Sequence, residues 1–292
     1  MKIRELRHNL WNIGFIEDGI ENIIQDKKTN IHWVKKYIND RWFADPFILD
    51  VTESDIVILA EEYSYNLRRG RIARVVIDRK TYEEKKFEII LDLSTHLSFP
   101  FIFRYENNIY IMPENSASGS SFIYKYDDET RELQKVQIVS DRPLTDAIIF
   151  NYKDKYYLLS TNLPDPNGKT LCIYSFNPKE LKVETLLQTV EFNSQVARNA
   201  GGIIKINNNL YRPAQDCAKC YGNGVVIQKI EYNEGHFVFK DVNSIYPHSF
   251  RYNQGLHTLN NYKGLIVVDG RGYRNLIIGR ILSFCFKFIG FR

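Results

Sequence analysis

A sequence repeat of about 50 residues occurs five times along this chain of 292 residues, and no other feature restricts the fold as strongly. Each copy begins with polar or turn-forming residues, which are followed by a short apolar segment. A turn and a second apolar segment complete the repeat. The copies open at Asp45-Pro46-Phe47, Phe99-Pro100-Phe101, Asp146-Ala147-Ile148, Asn199-Ala200-Gly201 and His257-Thr258-Leu259. Self-similarity at this period is typical of a repeat array or a propeller.

The residues within each copy favour β-strands. In the second copy, the apolar run 101–105 is followed by the turn Glu106-Asn107-Asn108 and a second run at 109–112. Runs rich in Ile, Val, Tyr and Phe between Asn, Gly and Asp are strand signals. The sequence therefore predicts an all-β protein, a five-bladed β-propeller over residues 41–274. Residues 1–40 are predicted to supply a strand that closes the ring, and residues 275–292 form a short apolar, basic tail.

The hairpin pattern also predicts where the polar residues meet. If the first run of each copy is the innermost strand of a blade, the antiparallel second strand returns to the end at which the first began. The polar openings and the polar clusters after the second runs, such as Glu61-Glu62 and Gln215-Asp216, then converge on one face around the axis.

Charge and cysteine content narrow the classes of partner. The net charge is +4, from 39 basic and 35 acidic residues without long blocks of one sign, which does not favour nucleic acid. Cys217 and Cys220 have the spacing of half a zinc site, but no second pair completes it, and two reduced thiols are the preferred interpretation. The N-terminus has no uninterrupted apolar run, so a cytoplasmic location is predicted.

The C-terminal tail has a different character. Residues 275–292 are apolar and aromatic and carry only basic charges. Two interpretations stay open: an amphipathic helix resting on the inner face of an anionic membrane, or a segment packed on the propeller or in an oligomer interface.

Three carboxylates from three blades are the candidate catalytic residues. Asp45 and Asp146 open the first and third copies, and Glu114 ends the second hairpin. Glycosyl chemistry uses paired carboxylates that flank the bond to be broken. The structural alternative is that these acids bind the loops at the mouth. Clustered carboxylates can also hold Ca²⁺ or Mg²⁺, so a divalent cation in the axial pocket is left open, although no metal ligands are assigned.

Polar residues of the remaining openings and clusters are the candidate substrate-binding residues. Arginine binds carboxylates and phosphates through two parallel hydrogen bonds, although pairing with a neighbouring acid is the alternative for each arginine. Either His96 or His257 could act as general acid or base, with a structural role as the alternative. The full set is Trp42, Glu62, His96, Arg198, Asn199, Arg212, Gln215, Asp216, Tyr221, His257 and Asp269.

An ordered set of motifs resembles the N-terminal domain of plant glucosamine inositolphosphorylceramide transferases, a domain also found in bacterial proteins of surface-polysaccharide loci. The motifs run in the same order over residues 30–272: Trp42-Phe-Ala-Asp-Pro-Phe, Glu61-Glu-Tyr, Gly70-Arg-Ile-Ala, His96-Leu-Ser-Phe-Pro, Met112-Pro-Glu-Asn-Ser, Asp146-Ala-Ile, Tyr211-Arg-Pro-Ala-Gln-Asp and His257-Thr-Leu. More distantly, the chain is similar to five-bladed propeller hydrolases such as arabinanases and invertases. The resemblance implies the propeller fold and a carbohydrate context.

The resemblance to the hydrolases also implies residue roles. Asp45 would be the base or nucleophile, and Asp146 would orient substrate and tune pKa values. The general acid of those hydrolases is a Glu from a later blade. Here the fourth blade offers Asp216, and Glu114 lies in the second. This departure disfavours simple hydrolysis.

Three functions are compatible with these residues. The first is glycosyl transfer from an activated sugar to a glycan or lipid-linked acceptor in the synthesis of surface polysaccharide or glycolipid. In that case Asp45 is the base, Glu114 and Asp146 position substrate, and Arg198 and Arg212 hold donor phosphate. The second is a glycoside hydrolase with Asp45 and Glu114 as the pair. The third is a propeller that binds glycans without catalysis.

Overall fold

The computed structural model describes residues 9–35 and 40–281. Its first elements are β1 (Asn9–Ile16), the helix α1 (Ile20–Ile24) and β2 (His32–Trp33). Three sheets follow, each made of four consecutive strands. They are β3 (Arg41–Val51), β4 (Asp55–Ser64), β5 (Arg69–Asp78) and β6 (Glu84–Leu91); β7 (Ser98–Tyr105), β8 (Asn108–Glu114), β9 (Ser121–Tyr126) and β10 (Leu133–Ser140); and β11 (Thr145–Tyr152), β12 (Lys155–Thr161), β13 (Thr170–Asn177) and β14 (Lys182–Glu191).

The fourth and fifth blades complete the ring. The fourth contains β15 (Ile204–Ile206), β16 (Asn209–Asp216), β17 (Gly224–Asn233) and β18 (His236–Ile245). The last two strands of the described chain are β19 (Leu259–Tyr262) and β20 (Leu265–Tyr273). The described strands form five antiparallel sheets of four, and the first strands of the fifth, first, second and third blades contact one another in turn around the axis. The prediction of an all-β, five-bladed propeller is confirmed.

The N-terminal segment closes the ring, as the sequence predicts. The fifth sheet has the order β19-β20-β1-β2, so this segment contributes two strands where one was expected. β1 pairs with β20 along its whole length, from Asn9 opposite Tyr273 to Ile16 opposite Ile266. The first and last parts of the chain are therefore joined in one sheet, and the blade depends on both.

Buried apolar side chains fill the spaces between blades. The largest cluster runs from the first blade to the fourth and includes Phe47, Phe101, Phe150 and Phe237. A second cluster joins the fifth blade to the first, with Phe15 of β1 fully buried in it. Perpendicular aromatic pairs such as Phe47 with Phe99 recur in these spaces. The high aromatic content is thus used in packing sheet on sheet.

The same irregularity occurs at the start of three blades. One extra residue lies in β3 between Ala44 and Phe47, in β7 between Ser98 and Phe101, and in β11 between Thr145 and Ile148. The bulge residues Asp45, Phe99 and Asp146 have positive φ angles of 50°, 43° and 42°. Bulges redirect side chains, and they explain why the opening residues of the repeat are kinked.

The C-terminal tail is only partly described. Residues 276–281 are helical, and Ile277 and Ile281 are exposed. Residues 282–292 of the predicted tail lie outside the described residues. Within 9–35 and 40–281, no helix has the length and apolarity to cross a membrane.

The closing role of β1 gives a test of the fold. Replacing Phe15 by alanine should lower the free energy of unfolding by about 3–5 kcal/mol, because a fully buried aromatic ring is removed from the seam between the fifth and first blades. Urea denaturation measures the change. The control is Phe250→Ala, where a ring that is 74% exposed is lost and the change should stay within about 0.5 kcal/mol. Equal effects of the two substitutions would contradict the packing described for β1.

Candidate active site at one end of the axis

Carboxylates of one blade bind the backbone of the next at the bulges. The N–H of Asp45 donates to Asp269 Oδ2 at 3.2 Å, and the N–H of Phe99 donates to Asp45 Oδ2 at 3.1 Å. The N–H of Asp146 donates to Glu114 Oε2 at 3.1 Å. Each bulge N–H is thus satisfied by an acid from the blade before it in the ring. These bonds place four carboxylates at one end of the axis, as predicted.

His257 lies at the centre of the first group of these acids. Its Nδ1 is 2.7 Å from Asp269 Oδ2 and 3.5 Å from Asp45 Oδ1. The Thr258 hydroxyl donates to Asp45 Oδ1 at 2.7 Å. The imidazole stacks on the indole of Trp11 at 3.9 Å, so β1 also supports the site. The prediction that His257 and Asp269 lie near Asp45 agrees with this geometry, and Trp11 and Thr258 were not foreseen.

The pKa values of the two aspartates in this group are shifted in opposite directions. Burial raises the pKa of Asp45, and the adjacent His257 only partly opposes the rise. Asp269 is also buried, yet His257 and the donated backbone hydrogen bonds hold the pKa of Asp269 below its ordinary value. Asp269 is therefore the ionised partner of the imidazole.

These three residues are also the described group that could hold a metal ion, since one ligand atom from each lies within 4.8 Å of the others. All four carboxylate oxygens of Asp45 and Asp269 already accept hydrogen bonds from the protein. Each oxygen of Asp45 accepts one such bond and keeps a second lone pair, so these bonds are compatible with a divalent cation as well as with a shared proton.

Arg198 organises the second group of acids. Its Nε donates to Asp146 Oδ2 at 2.6 Å, and its NH2 group reaches Glu114 Oε2 at 3.4 Å. Gln215 donates to the same Asp146 oxygen at 2.7 Å. Arg198, Gln215, Glu114 and Asp146 are therefore brought together as predicted. Both carboxyls accept hydrogen bonds from the guanidinium.

The pKa values of the two carboxyls beside Arg198 are also shifted in opposite directions. Burial raises the pKa of Asp146, with Arg198 opposing the rise and the neighbouring Glu114 adding to it. Burial acts on Glu114 too, but Arg198 and the donated hydrogen bonds outweigh it and lower the pKa of Glu114. Glu114 is therefore ionised, and 14% of its side chain is exposed at the mouth.

A fifth carboxyl, Glu61, was not among the predicted site residues. Burial raises the pKa of Glu61 well above its ordinary value, and the surrounding carboxylates, Asp45 first among them, raise it further. Its Oε1 accepts no hydrogen bond. The Nε2 of His96 is 3.4 Å from this oxygen, while His96 Nδ1 accepts the Gly70 N–H at 2.8 Å. Glu61 is thus a buried carboxyl with a raised pKa and an Oε1 that accepts no hydrogen bond, next to the half-exposed ring of His96.

Gly70 makes room for this acid. A side chain at Gly70 would come within 2.6 Å of Glu61 Oε1 and 2.3 Å of the Leu97 carbonyl oxygen. The motif that begins at Gly70 is therefore explained by close approach of β5 to the site.

Glu62, which was predicted to bind substrate, is engaged elsewhere. Successive residues of a strand point to opposite faces. Glu62 accepts from Arg71 Nε at 2.9 Å and from Arg41 NH1 at 3.2 Å, and it has no exposed surface. Arg71 is its cross-strand partner in the β4–β5 hairpin. Counting back from that turn would have identified Glu62 as an ion-pair residue.

Arg212 does not reach the pocket either. It is fully buried in the fourth blade, and its guanidinium donates to Asn199 Oδ1, Gln228 Oε1 and the Val196 and Ala197 carbonyls. The expected role in holding donor phosphate is not available to this side chain. Burial of the fourth blade's second strand, where Arg212 lies, is the physical reason.

Asn199 and Asp216 hold neighbouring segments in place through hydrogen bonds. The Asn199 amide donates to the carbonyls of Asp146 and Leu159 and so joins the third and fourth blades. Asp216 accepts from the Ala218 N–H, the Asn223 amide and the Tyr246 hydroxyl, and so holds the loop that carries Tyr221.

Aromatic side chains form the rim. The Tyr221 ring, 39% exposed, packs its edge on His257 at 5.3 Å and lies 5.2 Å from the Arg198 guanidinium. It therefore links the two acid groups. On the first blade, Trp42 stacks on Tyr63 at 4.7 Å, and Tyr63 lies 6.3 Å from His96. Trp42 is thus one ring removed from the acids, as part of the rim.

The site combines carboxyls with opposite proton affinities. The pKa of Glu61 is raised, whereas the pKa values of Glu114 and Asp269 are lowered. Environments that separate the pKa values of neighbouring acids are the usual basis of acid and base roles. Such a site can donate a proton at one position and accept one at another.

The raised pKa of Glu61 predicts a pH-dependent stability change. Between the ordinary glutamate pKa of 4.5 and its higher folded-state pKa, the folded protein binds the extra proton, so Glu61 lowers stability as pH rises. Glu61→Gln should therefore become more stable than wild type as pH increases above about 4.5, by up to about 1.4 kcal/mol per pH unit. Urea denaturation from pH 4 to 8 measures the difference.

The control for this experiment is Glu53→Gln, which removes a carboxyl from the exposed β3–β4 turn. A difference between Glu61→Gln and wild type that stays constant across the pH range would show that Glu61 is ionised in the folded protein.

Comparison with known proteins places this geometry in a family. Residues 31–264 match the family described as glucosamine inositolphosphorylceramide transferase 1, N-terminal. The protein of that name from Oryza sativa subsp. indica is 31% identical over 198 residues, which are 64% of this chain and 26% of the relative. The Arabidopsis thaliana protein is 29% identical over 231 residues, 76% of this chain and 29% of the relative. The chain thus spans between a quarter and a third of these relatives.

Solved structures show the same fold at low identity. A GH43_1 enzyme from Xanthomonas citri complexed with xylose has a TM-score of 0.56 at 9% identity, covering 80% of this chain and 87% of that one. An α-L-arabinofuranosidase from Clostridium thermocellum has a TM-score of 0.51 at 15% identity, covering 82% and 84%. These likenesses concern the propeller alone. The match over residues 31–264 shows that this chain belongs to the family of the N-terminal domain of glucosamine inositolphosphorylceramide transferase 1.

Proposed function

We propose that this chain is a carbohydrate-active enzyme of surface polysaccharide or glycolipid synthesis, and that it transfers a glycosyl unit bound at the carboxylate end of the axis. The observation that carries the proposal is the buried carboxyl of Glu61, whose Oε1 accepts no hydrogen bond and whose pKa is raised by burial and by four other acids. The family and the propeller likeness support a carbohydrate ligand.

The proposed roles follow from proton occupancy and exposure. Glu61 is the general acid, which gives its proton to the oxygen of the leaving group as the bond to the anomeric carbon breaks. Glu114 is ionised and partly exposed, and it takes the proton of the acceptor hydroxyl as the new C–O bond forms. Asp45, Asp146 and Asp269 orient these groups. This assignment moves the base from Asp45, which is buried and has a raised pKa, to Glu114, which is partly exposed and has a lowered pKa.

The charge of the site limits which glycosyl donor it can bind. Arg198 already donates to Asp146 and Glu114, and Arg212 is buried, so neither expected arginine is available to a sugar diphosphate. We therefore propose a glycosyl unit that is neutral or cationic at this position. The relatives are named for glucosamine, an amino sugar, and its ammonium group would complement a pocket of carboxylates.

A non-catalytic glycan-binding propeller is the second candidate, and one observation favours it. Asp45, Glu114 and Asp269 each satisfy a bulge N–H, which is a structural task that a binding module would need as well. Glu61 has no such task among the described contacts, so it separates the two candidates.

The composition of the C-terminal tail favours an acceptor that is bound to a membrane. Residues 270–292 contain five basic side chains and no acidic one. Arg280 lies 4.4 Å over the exposed ring of Phe250 and donates to the Phe250 carbonyl, so the start of the tail, which also carries the exposed Ile277, contacts Phe250. β20 leads from Asp269 towards this region, so we propose that the region lies beside the acid end and rests on an anionic bilayer.

Thermal shift with a defined panel tests the binding part of the proposal. Neutral and amino-sugar glycosides and oligosaccharides should raise the melting temperature of wild type, because a ligand that prefers the folded state stabilises it by about 2.7 kcal/mol at 100 times Kd. Free nucleotides should give no shift. Stabilisation by a nucleotide sugar and its parent nucleotide, without any glycoside, would contradict the proposed charge selection.

Glu61 variants test catalysis once a ligand is found. Glu61→Gln should keep ligand binding and lower turnover by about 10²- to 10⁴-fold, the usual contribution of a general acid. The control, Glu62→Gln, alters the neighbouring ion pair and should reduce turnover far less. Full turnover by Glu61→Gln would refute the assigned role, and binding without turnover in wild type would support the non-catalytic candidate.

A further inference from the structure

A cavity of about 700 Å³ lies at the end of the propeller opposite the carboxylates. β11 begins at the acid end with Asp146 and runs away from it to the turn before Lys155. The cavity is lined by this turn, by the β13–β14 turn at 177–179 and by residues 232–237 around the β17–β18 turn. Its volume is within the range of ligand sites, about 300–1,000 Å³.

Packed aromatic rings line this cavity. Tyr105 and Tyr156 meet edge to face at 5.7 Å, and Tyr232 packs on Phe237 at 4.9 Å. The contacts hold the rings in fixed orientations, and Tyr232 is still 37% exposed. Rigid, partly exposed tyrosines offer apolar faces at small cost in side-chain entropy.

The cavity is held between blades by an amide. Gln188 of β14 donates to the Phe237 carbonyl at 2.8 Å and accepts from the Phe237 N–H at 2.8 Å. This pair of bonds fixes the third blade against the fourth. The lining is thus preorganised, as a binding site requires.

The polar lining is balanced in charge. Asp154 and Glu184 are matched by Lys155 and Lys179, and Asn177 adds an amide. An anionic glycan or a nucleotide would need an excess of cations, which this lining does not have. A molecule with apolar C–H faces, many hydroxyls and no charge satisfies both the tyrosines and the mixed donors and acceptors.

We propose that this cavity is a second glycan-binding site, which takes a neutral oligosaccharide. The inference goes beyond the transfer reaction, since the site is at the other end of the molecule and shares no residue with the acid groups. Binding there would tether a polymeric glycan and raise its local concentration at the protein.

Two similarly exposed tyrosines at opposite ends provide the experiment. Calorimetric titration with neutral trisaccharides (maltotriose, xylotriose and galactotriose) should show saturable binding to wild type by at least one probe. Tyr232→Ala should weaken that binding at least tenfold, and Tyr232→Phe should retain it, because the ring face is kept. Tyr221→Ala at the axial mouth should leave the Tyr232-dependent binding in place, and any binding that this variant loses belongs to the axial site.

Hydrogen exchange locates the site without a substitution. The bound trisaccharide should protect residues 154–157 and 232–237. Protection confined to 217–223 and 96–99, with binding lost in Tyr221→Ala and unchanged in Tyr232→Ala, would assign all glycan binding to the axial end. Absence of saturable binding by every trisaccharide would also overturn the inference. Trisaccharide binding that depends on Tyr232, in a protein without transferase turnover, would support the second site and contradict only the proposed transfer.

Discussion

The hydrogen bond from a bulge N–H of one blade to a carboxylate of the blade before it is the interaction on which the site depends. The bulge residues Asp45, Phe99 and Asp146 have positive φ angles, a strained state for residues other than glycine. Their N–H groups leave the strand ladder and need buried acceptors. Carboxylates supply charge-assisted bonds to these donors, so the closure of the ring itself gathers acids around the axis.

Gathering acids has an electrostatic consequence. The pKa values of Asp269 and Glu114 are lowered, because donated hydrogen bonds and the neighbouring His257 and Arg198 outweigh the effect of burial. The pKa of Glu61 is raised by burial and by the surrounding carboxylates, and its Oε1 accepts no hydrogen bond. Desolvation and like-charge crowding therefore favour the protonated form of Glu61. Asp146 also has a raised pKa although Arg198 and Gln215 donate to it, so the environment of each carboxyl, and not its residue type, separates the pKa values.

Much of this architecture could be predicted from the sequence, because it repeats. The five openings located the innermost strands and the end at which polar residues meet, and Asp45, Asp146, Glu114, Arg198, Gln215, His257 and Asp269 are brought together there. Side-chain direction was harder to predict. Glu61 and Glu62 are adjacent, and only the register of the β4–β5 hairpin shows that Arg71 pairs with Glu62. Arg212 was misjudged because a polar residue in a strand gives no local sign of burial when its partners come from a distant turn and strand.

Direct titration of Glu61 tests the central claim. With ¹³C-labelled glutamate and the Glu61→Gln variant for assignment, the side-chain carboxyl shift would be followed by NMR from pH 3 to 8. The account predicts that the Glu61 signal stays in its protonated position through pH values at which an ordinary glutamate, with a pKa near 4.5, has ionised. Titration of Glu61 at that ordinary value would contradict the account and remove the basis for its role as the proton donor.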